Sequence, residues 1–170
     1  MDKQAMYELM NQQLEGLLKA TPYRISGLAN ASALLWGTLR NINWAGFYLM
    51  EEGKLILGPF QGKVACTEIG IGRGVCGTAV EKDEVLVVED VHEFAGHIAC
   101  DSASNSEIVL PIHKNGEVVG VLDIDSPLPA RFDAEDKEGL CKFVEVLERH
   151  LGRKGIGACL LYTSDAADEL

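Results

Sequence analysis

The chain has 170 residues, the length of one domain, and its 47% hydrophobic and 24% charged side chains suit a packed core inside a polar surface. Its 15 basic and 26 acidic residues leave a net charge of −11, a field that repels phosphate backbones; we expect no nucleic-acid partner, and a small ligand carrying a cationic group fits better. No apolar run reaches the roughly 18 residues that span a bilayer, and the polar, mixed-charge stretch Met1–Met10 does not read as a signal peptide, so the expected location is the cytoplasm with no membrane partner.

In chain order, residues 3–19 place Met6, Met10, Leu14, Leu17 and Leu18 at helical spacing, and Thr21-Pro22 ends that helix. A second helix is predicted from about Ile25 to Leu39, with Leu28, Ala31, Leu35 and Leu39 on one face. Trp44–Met50 is short and aromatic-rich, a strand; Glu51-Glu52-Gly53-Lys54 turns it into a second strand at Leu55–Leu57. Gly58, Pro59 and Gly62 then break the pattern, so 58–67 is read as a loop carrying Cys66. Gly72–Gly77 leads into a short helix through Val80, and Val85–Val88 is a strand. Glu89–Ser106 shows no sustained period; a loop of that length in a compact domain is usually functional, and it holds Cys100. Ile108–Ile112 and Val118–Ile124 are strands joined by Lys114-Asn115-Gly116, a strong hairpin signal because both turn residues tolerate positive φ. Phe132 to about Leu151 is the final helix, with Asp133 as N-cap and Leu140, Phe143, Val144 and Leu147 on its buried side. Successive hairpins with helices at both ends imply an α+β class, a central antiparallel sheet of about five or six strands, in a single domain over residues 1–154. Residues 155–170 fit none of this pattern and read as a non-native or disordered tail, Cys159 included.

Chemistry is concentrated in three places. Cys66, Cys76 and Cys100 lie on irregular segments or at a helix start, where free N–H groups acidify a thiol; they read as a thiol–disulfide relay or, equally, as small buried hydrophobes. Cys141 lies in a periodic helix and reads as core. Zinc on Cys66, Cys76, Cys100, His92 and His97 is disfavoured because no closely spaced cysteine pair is present, and no metal is expected. Asp123 and Asp125 are two apart on one strand and so share a face, and Glu107 begins the neighbouring strand. Clustered carboxyls raise one another's pKa, and a neutral acid can donate a proton to a substrate oxygen; the competing reading is a solvated cluster at a sheet edge. Trp44 and Tyr48 alternate onto one face and either can wall a small apolar pocket. Gly72-Arg73-Gly74-Val75-Cys76-Gly77 matches G-x-G-x-x-G, but no βαβ unit surrounds it, which favours a tight turn into a helix.

Six segments in order resemble one family: Asn43–Tyr48, Leu57–Lys63, Gly72–Gly77, Gly96–Asp101, Asn105–Pro111 and Gly120–Ser126 are similar to the free methionine-(R)-sulfoxide reductases. The resemblance runs from about Ala29 to Leu151 and implies a GAF-type fold. It further implies a thioredoxin-dependent oxidoreductase with no bound cofactor, reducing free methionine-(R)-sulfoxide, with dithiothreitol able to replace thioredoxin in vitro. Cys100 would attack the sulfoxide sulfur and Cys66 would condense with the resulting sulfenic acid. Cys76 matches the family's third cysteine, and either it or Cys100 is the first nucleophile. Glu107, Asp123 and Asp125 would hold the substrate's ammonium group and polarise its S–O bond, and Trp44 would meet the methyl group. The alternative is a non-catalytic, small-molecule-sensing GAF module, disfavoured because no output domain is expected beside it. The apolar helical N-terminus is compatible with a homodimer.

Overall fold

The computed structural model describes residues 2–94 and 103–151. Cys100, the 96–101 motif and the whole of 155–170 lie outside the described residues. The elements are α1 (Lys3–Ala20), α2 (Arg24–Thr38), β1 (Trp44–Glu51), β2 (Lys54–Gly62), β3 (Glu68–Gly70), α3 (Gly74–Lys82), β4 (Leu86–Val88), β5 (Ser106–Lys114), β6 (Glu117–Ser126) and α4 (Ala134–Leu151). The strands form one sheet in the order β3-β2-β1-β6-β5-β4, with every neighbouring pair antiparallel. The class is α+β, as expected from the hairpins. No described helix is long and apolar enough to cross a membrane.

Local chemistry accounts for the boundaries. Asp2 caps α1 by accepting from Ala5 N at 2.8 Å, and Asp133 caps α4 by accepting from Glu135 N and Asp136 N at 2.9 and 3.0 Å. Both tight hairpins turn through consecutive positive φ values, Glu52 and Gly53 at 49° and 78°, and Asn115 and Gly116 at 54° and 82°.

One boundary differs from the sequence reading. β2 does not stop at Leu57 but continues through Gly58-Pro59-Phe60 to Gly62. Between the pairs Gly46↔Phe60 and Tyr48↔Leu57, two steps along β1 face three along β2, so a bulge absorbs the residue that cannot donate. Proline is tolerated in a sheet at such a bulge. The short β3, Glu68–Gly70, carries only three residues and has no element assigned to it in the sequence reading.

The sheet separates two cores. On one face Phe47, Leu49, Ile108, Leu110, Ile112, Leu122 and Ile124 pack against α1, α2 and α4. On the other, Trp44, Tyr48, Val109 and Val121 pack with Val75, Cys76 and Ala79 of α3. β1, β5 and β6 are thus covered on both sides through most of their length.

Two polar devices hold the helical layer together and tie it to the sheet. Asp136, fully buried, accepts from Tyr7 Oη at 2.8 Å, Lys3 Nζ at 2.7 Å and Arg131 Nη1 at 3.0 Å, joining α1 to the start of α4. His113 on β5 lies between Asp83 Oδ1 at 2.7 Å, beyond α3, and Glu148 Oε1 at 3.0 Å, on α4. Burial lowers the His113 pKa, but hydrogen bonds to Asp83 and Glu148 outweigh it and the net shift is upward.

Asp136→Ala should therefore destabilise the fold by about 3–5 kcal/mol in urea unfolding, because two cations lose a shared buried acceptor. For His113 the folded pKa lies above the unfolded one, so its contribution is complete below about pH 6.5 and is lost as pH rises through the folded value. The urea midpoint difference between wild type and His113→Gln should shrink across that window; a difference that grows with pH would refute the assignment.

Candidate active site

Strand register brings the predicted acids together. Trp44 pairs with Asp125, Gly46 with Asp123, Glu107 with Asp125, and Val109 with Asp123. Side chains alternate along strands, so Trp44, Tyr48, Glu107, Asp123 and Asp125 emerge on the same face, the one covered by α3. Glu107 and Asp123 are each only 6% exposed, which removes the reading of a solvated cluster at a sheet edge. Asp125 is half-buried beside them.

Cys76, the third residue of α3, is aimed at these acids: its Sγ donates to Asp123 Oδ2 at 3.3 Å. Gly77 lets the start of α3 pack on the end of β3, because a Cβ there would fall 2.2 Å from the Gly70 carbonyl oxygen. Gly72 and Gly74 take φ values of 75° and 58°, so the glycine-rich stretch is a tight turn into α3.

Burial dominates the electrostatics. It pushes Glu107 well above the usual carboxylate range, reinforced by the charges of Asp123 and Asp125 and by a hydrogen bond with Asp123. Asp123 is raised by burial to about 7, with hydrogen bonds from Cys76 and Glu107 holding it lower than burial alone would. A hydrogen bond between two carboxyls needs a proton on one of them, so the pair retains a neutral acid near neutral pH. Cys76 departs from the sequence expectation. Its place at a helix start was expected to acidify it, yet burial and then the charges of Asp123 and Glu107 push its thiol well above the ordinary value. The dipole of one short helix is outweighed by desolvation beside two acids.

Cys66 is disulfide-bonded, and its partner is not among the described residues, where Cys76 and Cys141 are free. Its loop is fastened to the sheet at three points. Tyr48 Oη donates to Cys66 O at 3.1 Å, Trp44 Nε1 donates to Lys63 O at 3.2 Å, and Leu57 N donates to Thr67 O at 3.0 Å. Trp44 stacks on Tyr48 at 5.8 Å and on Phe60 at 5.1 Å between ring centroids. Phe60 was missed in the sequence because Gly58-Pro59 hid the strand; its place opposite Gly46 follows only from the bulge. Cys141 is half-buried against the helical core, as expected. His92 faces Asn105 Oδ1 at 3.1 Å.

Residues 13–151 match the GAF domain, and this chain is a GAF-domain protein. It is 53% identical over 151 residues to the free methionine-R-sulfoxide reductase of Escherichia coli (strain K12), covering 89% of this chain and 92% of that protein. Among solved structures it is similar to the fRMsr of Staphylococcus aureus in its reduced form, with TM-score 0.83 and 53% identity over 85% of this chain and 94% of that one. It is likewise similar to free methionine-R-sulfoxide reductase from Neisseria meningitidis in complex with its substrate, with TM-score 0.85 and 41% identity over 88% and 90% of the two chains. Within the GAF class, then, the chain belongs to the free methionine-R-sulfoxide reductases, and it is an oxidoreductase.

The raised thiol pKa has a direct consequence. In native protein at pH 8, Cys76 should react with iodoacetamide more than about tenfold slower than a free cysteine, and denaturation should abolish the protection. Mass-spectrometric labelling rates measure this; rapid native labelling would contradict the buried, protonated state.

Proposed function

We propose that this protein reduces free methionine-(R)-sulfoxide to methionine through a cysteine relay recycled by thioredoxin in the cytoplasm. The observation that carries the reading is the convergence of two buried acids, Glu107 and Asp123, with a thiol and an aromatic wall on one sheet face. A sulfoxide oxygen is a poor leaving group until it is protonated, and a neutral carboxylic acid beside it supplies that proton.

The Cys100 thiolate attacks the substrate sulfur. The acid pair protonates the sulfoxide oxygen, which passes as hydroxyl to the Cys100 sulfur as the S–O bond and the transient sulfur–sulfur bond break; methionine leaves and Cys100 is oxidised to a sulfenic acid. The Cys66 thiol then condenses with the sulfenic acid, releasing water and forming a disulfide that a thioredoxin dithiol reduces. We assign first attack to Cys100 because Cys76 is held as a neutral thiol by its burial and its acidic neighbours. The disulfide-bonded state of Cys66 supports its resolving role, with Cys100 as the proposed partner. Asp125, with Glu107 and Asp123, receives the substrate's ammonium group, and Trp44 meets its methyl group. Tyr48 keeps the Cys66 backbone in place through its hydroxyl.

Incubation with free methionine-(R)-sulfoxide and dithiothreitol should yield methionine; a folded protein that yields none is a sensing module instead. Cys100→Ser should abolish sulfenic acid formation in the absence of reductant, and loss on Cys76→Ser with Cys100→Ser active would reverse the assignment. Because the acid acts protonated, kcat/KM should fall as pH rises through about 7, the value to which Asp123 is raised. Asp123→Asn should lower the rate by about 10²–10⁴ and flatten that limb of the profile.

A further inference from the structure

Cys76, Glu107 and Asp123 come from three rigid elements, α3, β5 and β6, and one donor atom from each lies within 4.8 Å of the others. All three are more than nine-tenths buried, at 3%, 6% and 6% exposure. Cys76 Sγ and Asp123 Oδ2 are 3.3 Å apart. Tetrahedral zinc with one sulfur and one oxygen ligand at its usual bond lengths separates those two atoms by about 3.5 Å, so the pair already stands near a ligand spacing. Asp123 Oδ1 is also buried with no hydrogen-bond partner, so one of the three residues carries an unused acceptor away from water. Among the described residues, no basic side chain is among the main groups acting on the three.

We propose that these residues form a binding site for a thiophilic divalent cation of the zinc class, held by one thiolate and two carboxylates with one coordination position open. The sequence conceals it because the ligands are far apart in the chain and include no close cysteine pair. The binding does not depend on the reductase reading. If that reading also holds, the ion occupies the acids that receive the substrate's ammonium group, and zinc is a competitive inhibitor.

The test uses the full chain with Cys66→Ser and Cys100→Ser, reduced, titrated with Cd²⁺ and followed by thiolate-to-cadmium charge-transfer absorption. One equivalent should saturate the band, and Zn²⁺ should displace it. Adding Cys76→Ser should remove it, and Asp123→Asn should weaken binding by at least about tenfold. In wild type, Zn²⁺ should block the slow alkylation of Cys76 and a chelator should restore it, a readout that stands even where a variant fails to fold. A folded protein with no band, a band that survives Cys76→Ser, or Cys76 labelling indifferent to Zn²⁺ would overturn the proposal. None of these readouts involves turnover, so they fail or succeed separately from the methionine assay.

Discussion

Two carboxyls and a thiol share a desolvated space on the inner face of this sheet, and the rest of the molecule is arranged around that cost. Burying an ionised carboxylate is expensive, and burying two side by side is more so. The site accommodates them by keeping protons: Glu107 well above its usual range, Asp123 at about 7, and the Cys76 thiol protonated. What would be a liability in a structural core is, in the proposed reaction, a supply of acid at neutral pH.

Such a cluster persists only if its supports cannot relax. The strands that carry Glu107 and Asp123 are buried on both faces, and the helical layer behind them is clamped by Asp136 and His113. On the front, the Gly77 contact with the Gly70 carbonyl fixes the start of α3, and hence the sulfur of Cys76, against the acids. The aromatic stack of Tyr48, Trp44 and Phe60 plays a second part beyond enclosing space. Through Tyr48 Oη and Trp44 Nε1 it fastens the loop bearing Cys66 to the same strand that faces Asp123 and Asp125. In the proposed reaction, acid chemistry and thiol chemistry are thus referred to one rigid frame, as precise catalysis requires.

Much of this was legible in the chain. Period-two alternation put Asp123 with Asp125 and Trp44 with Tyr48, the Asn115-Gly116 pair announced the last hairpin, and Asp133 announced the cap of α4. The extension of β2 was not legible. A proline and two glycines are local breakers, and only pairing with β1 through a bulge turns them into strand. Phe60 was lost with it. The electrostatic state of Cys76 was misjudged for a related reason, since its helix position is local information whereas its acidic neighbours come from strands 31 and 47 residues further on.

The sequence by itself determined the α+β class, the order of the elements and the side-chain types of the site, because periodicity, turn residues and caps act over a few residues. Tertiary structure alone decided that β5 and β6 pair in the register that sets Glu107 opposite Asp125, and that α3 lies over them. It alone decided, too, which of these groups keep their protons. Desolvation and charge–charge contact depend on distance in space, and no local pattern in a chain records it.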